Sequence, residues 1–308
     1  MLKKILITGS NGFVGSTLVK SIKNTFEYFT TDLVGNDLSL RYDLSKTDDL
    51  LIVEKFIEKK NIDCIIHLAA LRSDFGHNSN DFFVNNVIAT ENLIKSIKNP
   101  NQIKYFLHIG SVAEIDGQQI KFSNKLSIDN AYRCTKFLQL KIIKKFCNTY
   151  NIPLCVLSPS AIFNDQIRND TNISTLQKIV KKINFFPAIN VKKTLTYLPN
   201  FCDFIIESII IQRKGCFICV EKPILNISEI VKYLALPNKM KIFSFPGLYY
   251  FLTIFTLILP FNLLKKDMKL TNSRVKKLFK DTTYLHNKNY DLTSYPKNNE
   301  IVKILSKI

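Results

Sequence analysis

The stretch that decides the fold is KKILITGSNGFVGSTLVKSIKN, residues 3–24. An apolar run leads into a turn that carries Gly9, Gly12 and Gly15, and an amphipathic pattern follows. This order predicts a buried strand, a loop and a helix. Glycines at these places allow a tight turn, close approach of the backbone to a pyrophosphate, and close helix–strand packing. The free N–H groups of the helix N-terminus favour phosphate binding. The stretch therefore predicts a dinucleotide-binding unit.

The second feature of this unit is Asp32, which ends the next predicted strand, FEYFTTD. It lies about 20 residues beyond the glycine turn, where a carboxylate accepts hydrogen bonds from the adenosine ribose and repels a 2′-phosphate. The position favours NAD over NADP, and capping of the next turn is the alternative. Asp43 in YDLS has two open interpretations, a contact with the adenine amino group or a helix-capping role.

The rest of the first half alternates between strands and helices. Further buried strands are predicted over residues 62–70, 103–111 and 153–161. Amphipathic helices are predicted over residues 48–60, 81–98 and 130–151. This alternation indicates parallel strands joined by crossover helices. We therefore expect an α/β fold, a doubly wound parallel (Rossmann) sheet.

The pattern changes after Ile162, where a polar, loop-like stretch interrupts the alternation. We expect residues 1–163 to form an NAD-binding Rossmann domain whose sheet is completed by parts of residues 194–221. Residues 164–308 are expected to form mainly a smaller, C-terminal substrate-binding domain.

The chain of 308 residues carries a formal net charge of +18, and its basic residues are spread along the sequence. A solvated basic surface explains this distribution, and attraction to an anionic nucleotide diphosphate or lipid is the functional alternative. We expect no nucleic-acid partner, because no recognised binding motif accompanies the charge.

Cysteine usage indicates the compartment. The seven cysteines are an odd number and lie mostly in apolar runs, as expected of reduced thiols in a cytoplasmic protein. Cys216 and Cys219 form a C-x-x-C inside GCFICVE, which predicts a strand. Because no second pair and no nearby histidine complete a ligand set, we expect no metal site there. The N-terminal apolar run is too short for a signal peptide.

A candidate catalytic pair lies in AYRCTKF, where Tyr132 and Lys136 are four residues apart. On a helix this spacing places both side chains on one face, about one turn apart. A phenol with an ordinary pKa near 10 is a poor base at pH 7. A neighbouring ammonium and a cationic nicotinamide both favour the phenolate. The pair is therefore a candidate for proton transfer, and chance spacing is the alternative.

Five segments in fixed order carry a family resemblance: TGSNGFVG, HLAA, NNVIATENLI, IGS and YRCTK. Together they resemble the extended short-chain dehydrogenase/reductase family, in its NAD-dependent epimerase/dehydratase branch that acts on nucleotide sugars. The resemblance implies that Tyr132 is the acid/base, that Lys136 binds the nicotinamide ribose, and that a nearby hydroxyl holds the substrate oxygen. Aligned on Glu114, that hydroxyl position falls on Val112; aligned on the preceding strand, it falls on Ser111, which is the hydroxyl available.

The resemblance also extends the set of cofactor-binding candidates beyond the glycines and Asp32. HLAA would flank the cofactor, LSPSAIF would line the nicotinamide, and Asn86 would support the sheet near the site. The full set of expected cofactor-binding residues is Gly9, Asn11, Gly12, Phe13, Gly15, Asp32, Asp43, Leu44, Leu68, Ala69, Ala70, Asn86, Tyr132, Lys136, Pro159 and Ala161.

Departures from the family pattern reduce the number of reactions that the resemblance implies. The acidic pair of the dehydratases is reduced here to Ala113 and Glu114, which argues against 4,6-dehydration. The usual arginine before the proline is Ser158. The resemblance then implies hydride movement at C4 of a nucleotide sugar, by an epimerase of surface-polysaccharide precursor synthesis. A nucleotide-sugar 4-ketoreductase and a steroid- or isoprenoid-type alcohol dehydrogenase are the alternatives. A homodimer through the two long helices is expected.

A segment without charges, FPGLYYFLTIFTLILPFNLL, covers residues 245–264. Its length approaches that of a membrane span, but Pro246, Gly247 and Pro260 interrupt it. The resemblance implies a helix that covers the substrate domain. Peripheral contact with a membrane surface, assisted by Lys265 and Lys266, is the second interpretation.

Overall fold

The structure is a computed structural model. It describes residues 4–23, 25–33, 39–72, 77–165, 172–182, 184–236, 240–250, 279–284, 290–294 and 300–307.

An eight-stranded sheet dominates the fold. Its strands lie in the order β14–β11–β6–β5–β4–β1–β2–β3. Their bounds are β1 (Lys4–Thr8), β2 (Glu27–Asp32), β3 (Ser39–Arg41), β4 (Cys64–His67), β5 (Tyr105–Ile109), β6 (Leu154–Pro159), β11 (Gly215–Val220) and β14 (Asp291–Ser294). From β3 to β11 every neighbouring pair is parallel. The strand order reverses between β1 and β4, which is where such sheets bind their ligands.

Crossover helices connect these strands. Their bounds are α1 (Phe13–Ile22), α2 (Leu50–Lys60), α3 (Ser79–Phe82), α4 (Ala89–Lys95), α5 (Ala113–Gly117), α6 (Ile128–Thr149) and α8 (Leu198–Ile210). A π-helical segment, Phe83–Ile88, joins α3 to α4, and short 3₁₀ turns cover Thr47–Asp49 and Pro100–Gln102. The sequence pattern predicts one continuous helix over residues 81–98 and does not reveal the π segment.

The core lies where the central strands meet the helices. One residue from each of β1, β4 and β5, namely Leu6, Ile65 and Phe106, packs in one cluster with apolar side chains of α2, α4 and α6. These central strands are buried on both faces, as expected of a parallel sheet. The predicted doubly wound Rossmann fold is confirmed.

Edge strand β14 is a feature that the sequence does not announce. It follows Tyr290 in the C-terminal part of the chain and pairs beside β11. A four-residue strand rich in Ser, Thr and Asp carries little hydrophobic periodicity, so sequence reasoning has no basis for placing it in the sheet.

The chain divides into two compact units. The first unit comprises residues 1–160, 198–219 and 287–293, and contains the sheet. The second comprises residues 161–197, 220–286 and 294–308.

The second unit has its own strands, helices and core. Its strands are β7 (Ala161–Phe163), β8 (Phe185–Pro187), β9 (Lys192–Lys193), β10 (Leu195–Tyr197), β12 (Leu225–Asn226) and β13 (Lys241–Phe243). They form three two-stranded sheets, β10–β7, β12–β9 and β13–β8. Its helices are α7 (Asn172–Val180), α9 (Ile227–Leu234) and α10 (Glu300–Lys307). Side chains such as Phe163, Val231 and Leu305 share one hydrophobic cluster.

The apolar segment 245–264 is described only as far as Tyr250; its remainder lies outside the described residues. Within the described part of the chain, no helix is both long and apolar enough to cross a membrane.

Candidate active site

The glycine turn after β1 is shaped by close backbone contacts. Gly9 has a φ of +72°, and a Cβ placed there would lie 2.7 Å from the Ala69 nitrogen. A Cβ on Gly15 would lie 2.2 Å from the Gly9 carbonyl oxygen. Both positions therefore require glycine. Gly12 stands at the N-cap of α1 and provides no side-chain cap. The first turn of α1 thus keeps backbone N–H groups for an anionic ligand.

Asp32 ends β2 and holds the same turn. Its Oδ2 accepts a hydrogen bond from the Asn11 backbone N–H at 2.8 Å, and its Oδ1 accepts one from Leu33 N–H at 2.7 Å. Asp32 therefore has the local capping role that the sequence offered as the alternative. A carboxylate offers about four lone-pair sites, so acceptor capacity remains for a ribose hydroxyl. Phe13, the first residue of α1, is half-buried beside this turn.

The HLAA segment lies against the glycine turn. The Leu68 N–H donates to the Thr8 carbonyl at 3.2 Å, and the Ala69 N–H contacts the Thr8 hydroxyl at 3.3 Å. Ala69 and Ala70 are half-buried. This segment extends β4 past its last strand residue and keeps its backbone beside Gly9.

Two predicted cofactor-binding residues, Asp43 and Leu44, have partners within the protein. The Asp43 Oδ1 accepts hydrogen bonds from both the backbone N–H and the hydroxyl of Ser45, which makes Asp43 a turn cap. Leu44 is buried in the core, and its carbonyl accepts from Asn92 Nδ2 at 2.9 Å. Of the two interpretations for Asp43, the structure therefore supplies the contacts of the capping role.

Asn86 occupies the π-helical segment and is fully buried. Its side chain exchanges hydrogen bonds with both backbone groups of Leu71 and donates to the Thr135 hydroxyl at 3.1 Å. It thus ties the chain after HLAA to α6, one residue before Lys136.

Tyr132 lies in α6 and is half-buried, packed edge-on against Phe82 with ring centroids 6.2 Å apart. Burial raises the pKa of its phenol, while the nearby Ser111 side chain and the positive charge of Arg72 lower it. The predicted hydroxyl partner therefore lies close enough to the predicted acid/base to act on its pKa. Val112, the other aligned position, is buried.

Lys136 lies one helical turn beyond Tyr132 and is only 2% exposed. Its ammonium donates to the Ile109 carbonyl at 3.0 Å and to Gln139 Oε1. Burial lowers the pKa of Lys136 to about 8, and the charge of Glu114 opposes that fall. The ammonium is therefore anchored at the end of β5, close to Ser111 in the chain.

Lys136 is linked through Gln139 to a buried polar network that includes His67 and Thr90. His67 is fully buried and contacts the Thr8 hydroxyl at 2.7 Å and the Thr90 hydroxyl at 2.9 Å. Burial lowers the pKa of His67 to about 3, so the imidazole is neutral. Gln139 Nε2 lies within 3.1 Å of both His67 Nε2 and the Ala69 carbonyl. These contacts link β1, β4, α4 and α6.

Pro159 ends β6, and Ala161 follows it. The Pro159 carbonyl accepts from the Val112 N–H at 3.2 Å, next to Ser111. Ala161 is the exposed first residue of β7, in the second unit.

The sequence that builds this site matches a known protein family. The family model of the NAD dependent epimerase/dehydratase family matches residues 5–189, which include the glycine turn, Asp32, Ser111, Tyr132 and Lys136. The chain belongs to this family. The predicted membership of the extended short-chain dehydrogenases/reductases is thereby confirmed.

Curated relatives match about half of the chain. GDP-6-deoxy-D-talose 4-dehydrogenase of Aggregatibacter actinomycetemcomitans is 33% identical over 147 residues, 46% of this chain and 48% of that protein. UDP-glucose 4-epimerase of Pisum sativum is 31% identical over 169 residues, 46% of this chain and 47% of that protein. The matches thus span about half the length of these relatives.

Solved structures of family members share the fold. The UDP-N-acetylglucosamine 4-epimerase from Bacillus cereus superposes with a TM-score of 0.62 at 20% identity, over 79% of this chain and 85% of that one. At this identity the likeness concerns the fold alone.

Sequence reasoning missed three side chains around the pair. Gln139 has a sequence signal, because it stands three residues beyond Lys136 and thus on the same helix face. Arg72 lies two residues beyond HLAA and its charge lowers the pKa of the Tyr132 phenol, but no motif singles it out. Tyr290, which donates to Glu114 at 2.9 Å, comes from 176 residues away, and no local pattern points to it.

Proposed function

We propose that this protein moves hydride at C4 of a nucleotide-activated sugar as an NAD-dependent 4-epimerase. The observation that carries the proposal is the arrangement of three side chains: Ser111 after β5 acts on the Tyr132 phenol and lowers its pKa, and Lys136 is buried one turn further along α6. Family membership and the reactions named for the curated relatives, a 4-dehydrogenase and a 4-epimerase, support chemistry at C4.

The cofactor proposed for this site is NAD. The cradle formed by Gly9, Gly12 and Gly15 is free of side chains where a pyrophosphate would approach, and α1 begins there. Asp32 presents a carboxylate at the end of β2, which favours a ribose with two hydroxyls over one with a 2′-phosphate. We propose that the domain of residues 1–163, with parts of 194–221, holds NAD, and that residues 164–308 mainly bind the sugar nucleotide.

The residues divide the proton chemistry among them. Ser111 holds the C4 oxygen of the sugar next to the Tyr132 phenol, and Tyr132 takes the hydroxyl proton when C4 is oxidised. Tyr132 returns this proton when the C4 ketone is reduced. Bound NAD would accept the hydride from C4 and give it back. Lys136 contributes a fixed positive charge, held by Ile109 and Gln139, that stabilises the phenolate.

A nucleotide-sugar panel tests this proposal. The purified protein is incubated with GDP-, UDP- and dTDP-hexoses, and products are separated from their isomers by liquid chromatography, identified by mass spectrometry, and followed by nicotinamide absorbance. An epimerase gives an isomer of equal mass with protein-bound NAD and no added cofactor. Tyr132→Phe is expected to lower kcat by about 10²–10⁴ because it removes the acid/base. Unchanged turnover in this variant would refute the assignment of Tyr132.

A 4-ketoreductase is the second candidate, and the GDP-6-deoxy-D-talose 4-dehydrogenase relative favours it. It would use Ser111, Tyr132 and Lys136 in one direction only. In the panel it gives a product two mass units away from the substrate and consumes stoichiometric cofactor. Turnover of steroid or isoprenoid alcohols, with none of nucleotide sugars, would instead support the alcohol dehydrogenase alternative.

A homodimer through α4 and α6 is part of the proposal. Leu138 and Ile142, one turn apart on α6, keep part of their apolar surface accessible. Sedimentation equilibrium measures the mass. Leu138→Glu should shift a dimer to the monomer, whereas Lys141→Glu on the neighbouring face should not.

Cytoplasmic location with peripheral membrane contact completes the proposal. The cysteines are free thiols and nearly all are buried, which suits a reducing compartment. At the start of segment 245–264, Phe245 is 41% and Tyr250 is 71% exposed. Aromatic side chains of this kind insert at membrane interfaces. Co-sedimentation with anionic vesicles should fall in Phe245→Ser; equal co-sedimentation would count against the contact.

A further inference from the structure

Glu114 is a buried acidic residue for which the proposed proton transfer has no role. It lies in α5, three residues after Ser111, and is 1% exposed. Its Oε1 accepts hydrogen bonds from the Ser158 hydroxyl at 2.5 Å and the Tyr290 hydroxyl at 2.9 Å. Its Oε2 accepts one from the Ser111 backbone N–H at 3.2 Å. A carboxylate enclosed in this way cannot touch substrate.

The surrounding backbone is fitted to this carboxylate. A Cβ on Gly110 would lie 2.5 Å from Glu114 Oε2 and 2.8 Å from the Ser158 hydroxyl oxygen. The chain between β5 and α5 therefore passes directly over the carboxylate. Through the Ser111 N–H, the position of Glu114 determines where the Ser111 residue stands beside Tyr132.

Tyr290 provides the distant support of this arrangement. It precedes β14, so its hydroxyl reaches Glu114 only when the C-terminal strand is in the sheet. Burial and the charge of Glu114 both raise the pKa of Tyr290, which keeps the phenol protonated and able to donate.

Several titratable groups surround Glu114, and they indicate that its negative charge acts on Lys136. The groups that face it are Lys136 and Tyr132 on α6, Tyr290 before β14, and Cys216 on β11. Lys136 is the cation of this set, and it is buried as well. Burial raises the pKa of Glu114 and lowers that of Lys136, and each charge opposes the shift of the other. A buried ammonium without a compensating charge is costly, so the Glu114 carboxylate stabilises Lys136 in its charged form.

We propose that Glu114 is a positioning residue, held by Tyr290 and Ser158, that fixes Ser111 beside Tyr132 and supplies the buried negative charge that Lys136 requires. The catalytic pair would then depend on β14, an edge strand of the sheet that is far from Tyr132 and Lys136 in sequence. The part concerning Ser111 and Tyr132 rests on the proposed function; the charge coupling of Glu114 with Lys136 does not.

The first experiment measures this coupling without any substrate. Glu114→Gln, Lys136→Met and the double variant are unfolded in urea at pH 7, together with the unchanged protein. Because each single change leaves a buried charge alone, the double variant should be less destabilised than the sum of the two single variants. Additive effects would overturn the coupling, whatever the enzyme's reaction.

The second experiment uses kinetics with the sugar nucleotide that the panel identifies. Glu114→Gln keeps the size and acceptor oxygen but loses the charge, so kcat should fall about tenfold with KM nearly unchanged. Since Glu114 raises the pKa of Lys136, the alkaline limb of the kcat profile should move to lower pH in this variant. An unchanged profile would overturn the proposal.

Matched variants at exposed sites distinguish a specific effect at Tyr290 and Glu114 from a general effect of the same chemical change. Tyr290→Phe removes one hydroxyl and should reduce kcat about threefold to tenfold while the protein stays folded. Tyr150→Phe at the exposed end of α6 and Glu58→Gln on the exposed face of α2 make the same chemical changes and should have no effect. Equal activity of Tyr290→Phe and Tyr150→Phe would overturn the role of the C-terminal strand.

Discussion

The Lys136 ammonium donates a hydrogen bond to the side-chain oxygen of Gln139, one helical turn further along α6. The amide nitrogen of Gln139 in turn contacts His67, Thr90 and the Ala69 carbonyl. Lys136 is thus held by a side chain that also binds the HLAA segment, so the predicted catalytic pair and the predicted cofactor cradle share one polar network.

The first prediction concerns this glutamine. Gln139→Met keeps the volume but leaves the ammonium and the His67 ring short of one partner each. We expect a loss of about 1–3 kcal/mol in the free energy of unfolding and a fall in kcat of about tenfold. Urea unfolding and steady-state kinetics measure the two effects. Gln118→Met, one residue beyond α5 at an exposed position, is the control. Equal stability of the two variants would contradict the network.

The second prediction concerns cofactor choice. Asp32→Ser removes the carboxylate that ends β2, so the affinity for NADH should fall and that for NADPH should rise, each by about tenfold. The fluorescence of the bound reduced cofactor measures both dissociation constants. Asp43→Ser is the informative comparison, since the structure makes Asp43 a turn cap. It should lower stability and leave both affinities unchanged; a selective loss of NADH binding would instead support the adenine contact.

The third prediction concerns the glycine turn. Gly15→Ala places a methyl group 2.2 Å from the Gly9 carbonyl oxygen, and the backbone must shift to accept it. We expect a loss of about 1–3 kcal/mol in the free energy of unfolding. Gly12→Ala meets the same oxygen at 3.1 Å, so it should cost less stability yet still weaken cofactor binding. If both variants unfold at the same urea concentration, the packing argument is wrong.

The fourth prediction concerns pH. Burial lowers the pKa of Lys136 to about 8, so the ammonium is present below that pH and is lost as the pH rises through it. Because the phenolate of Tyr132 needs a nearby cation, kcat should decline on the alkaline side of about pH 8. Lys136→Arg keeps its charge to much higher pH, so its residual activity should lack this decline. A flat profile of the unchanged protein to pH 10 would contradict the prediction.

Much of the fold could be predicted because the signals are local. The strand–turn–helix order around Gly9 and the alternation up to residue 163 follow from hydrophobic periodicity, and the structure confirms the sheet. The π-helical segment could not be predicted, since its six residues are too few for their period to be told from that of the helices on either side. Strand β14 could not be predicted either, because its pairing with β11 is a long-range contact.

The candidate site divides in the same way. The sequence by itself determined the glycine cradle, the acidic end of β2 and the Tyr132–Lys136 pair, because each is a spacing within one element or between neighbouring ones. Only the tertiary structure decided that the Ser111 side chain lies near enough to lower the pKa of the Tyr132 phenol while Val112 is buried, that Asp43 caps a turn, and that Glu114 is buried against Ser158 and Tyr290. These facts depend on side chains from distant strands meeting at one end of the sheet. Burial there sets their charges, and burial is a property of the packed chain rather than of any segment.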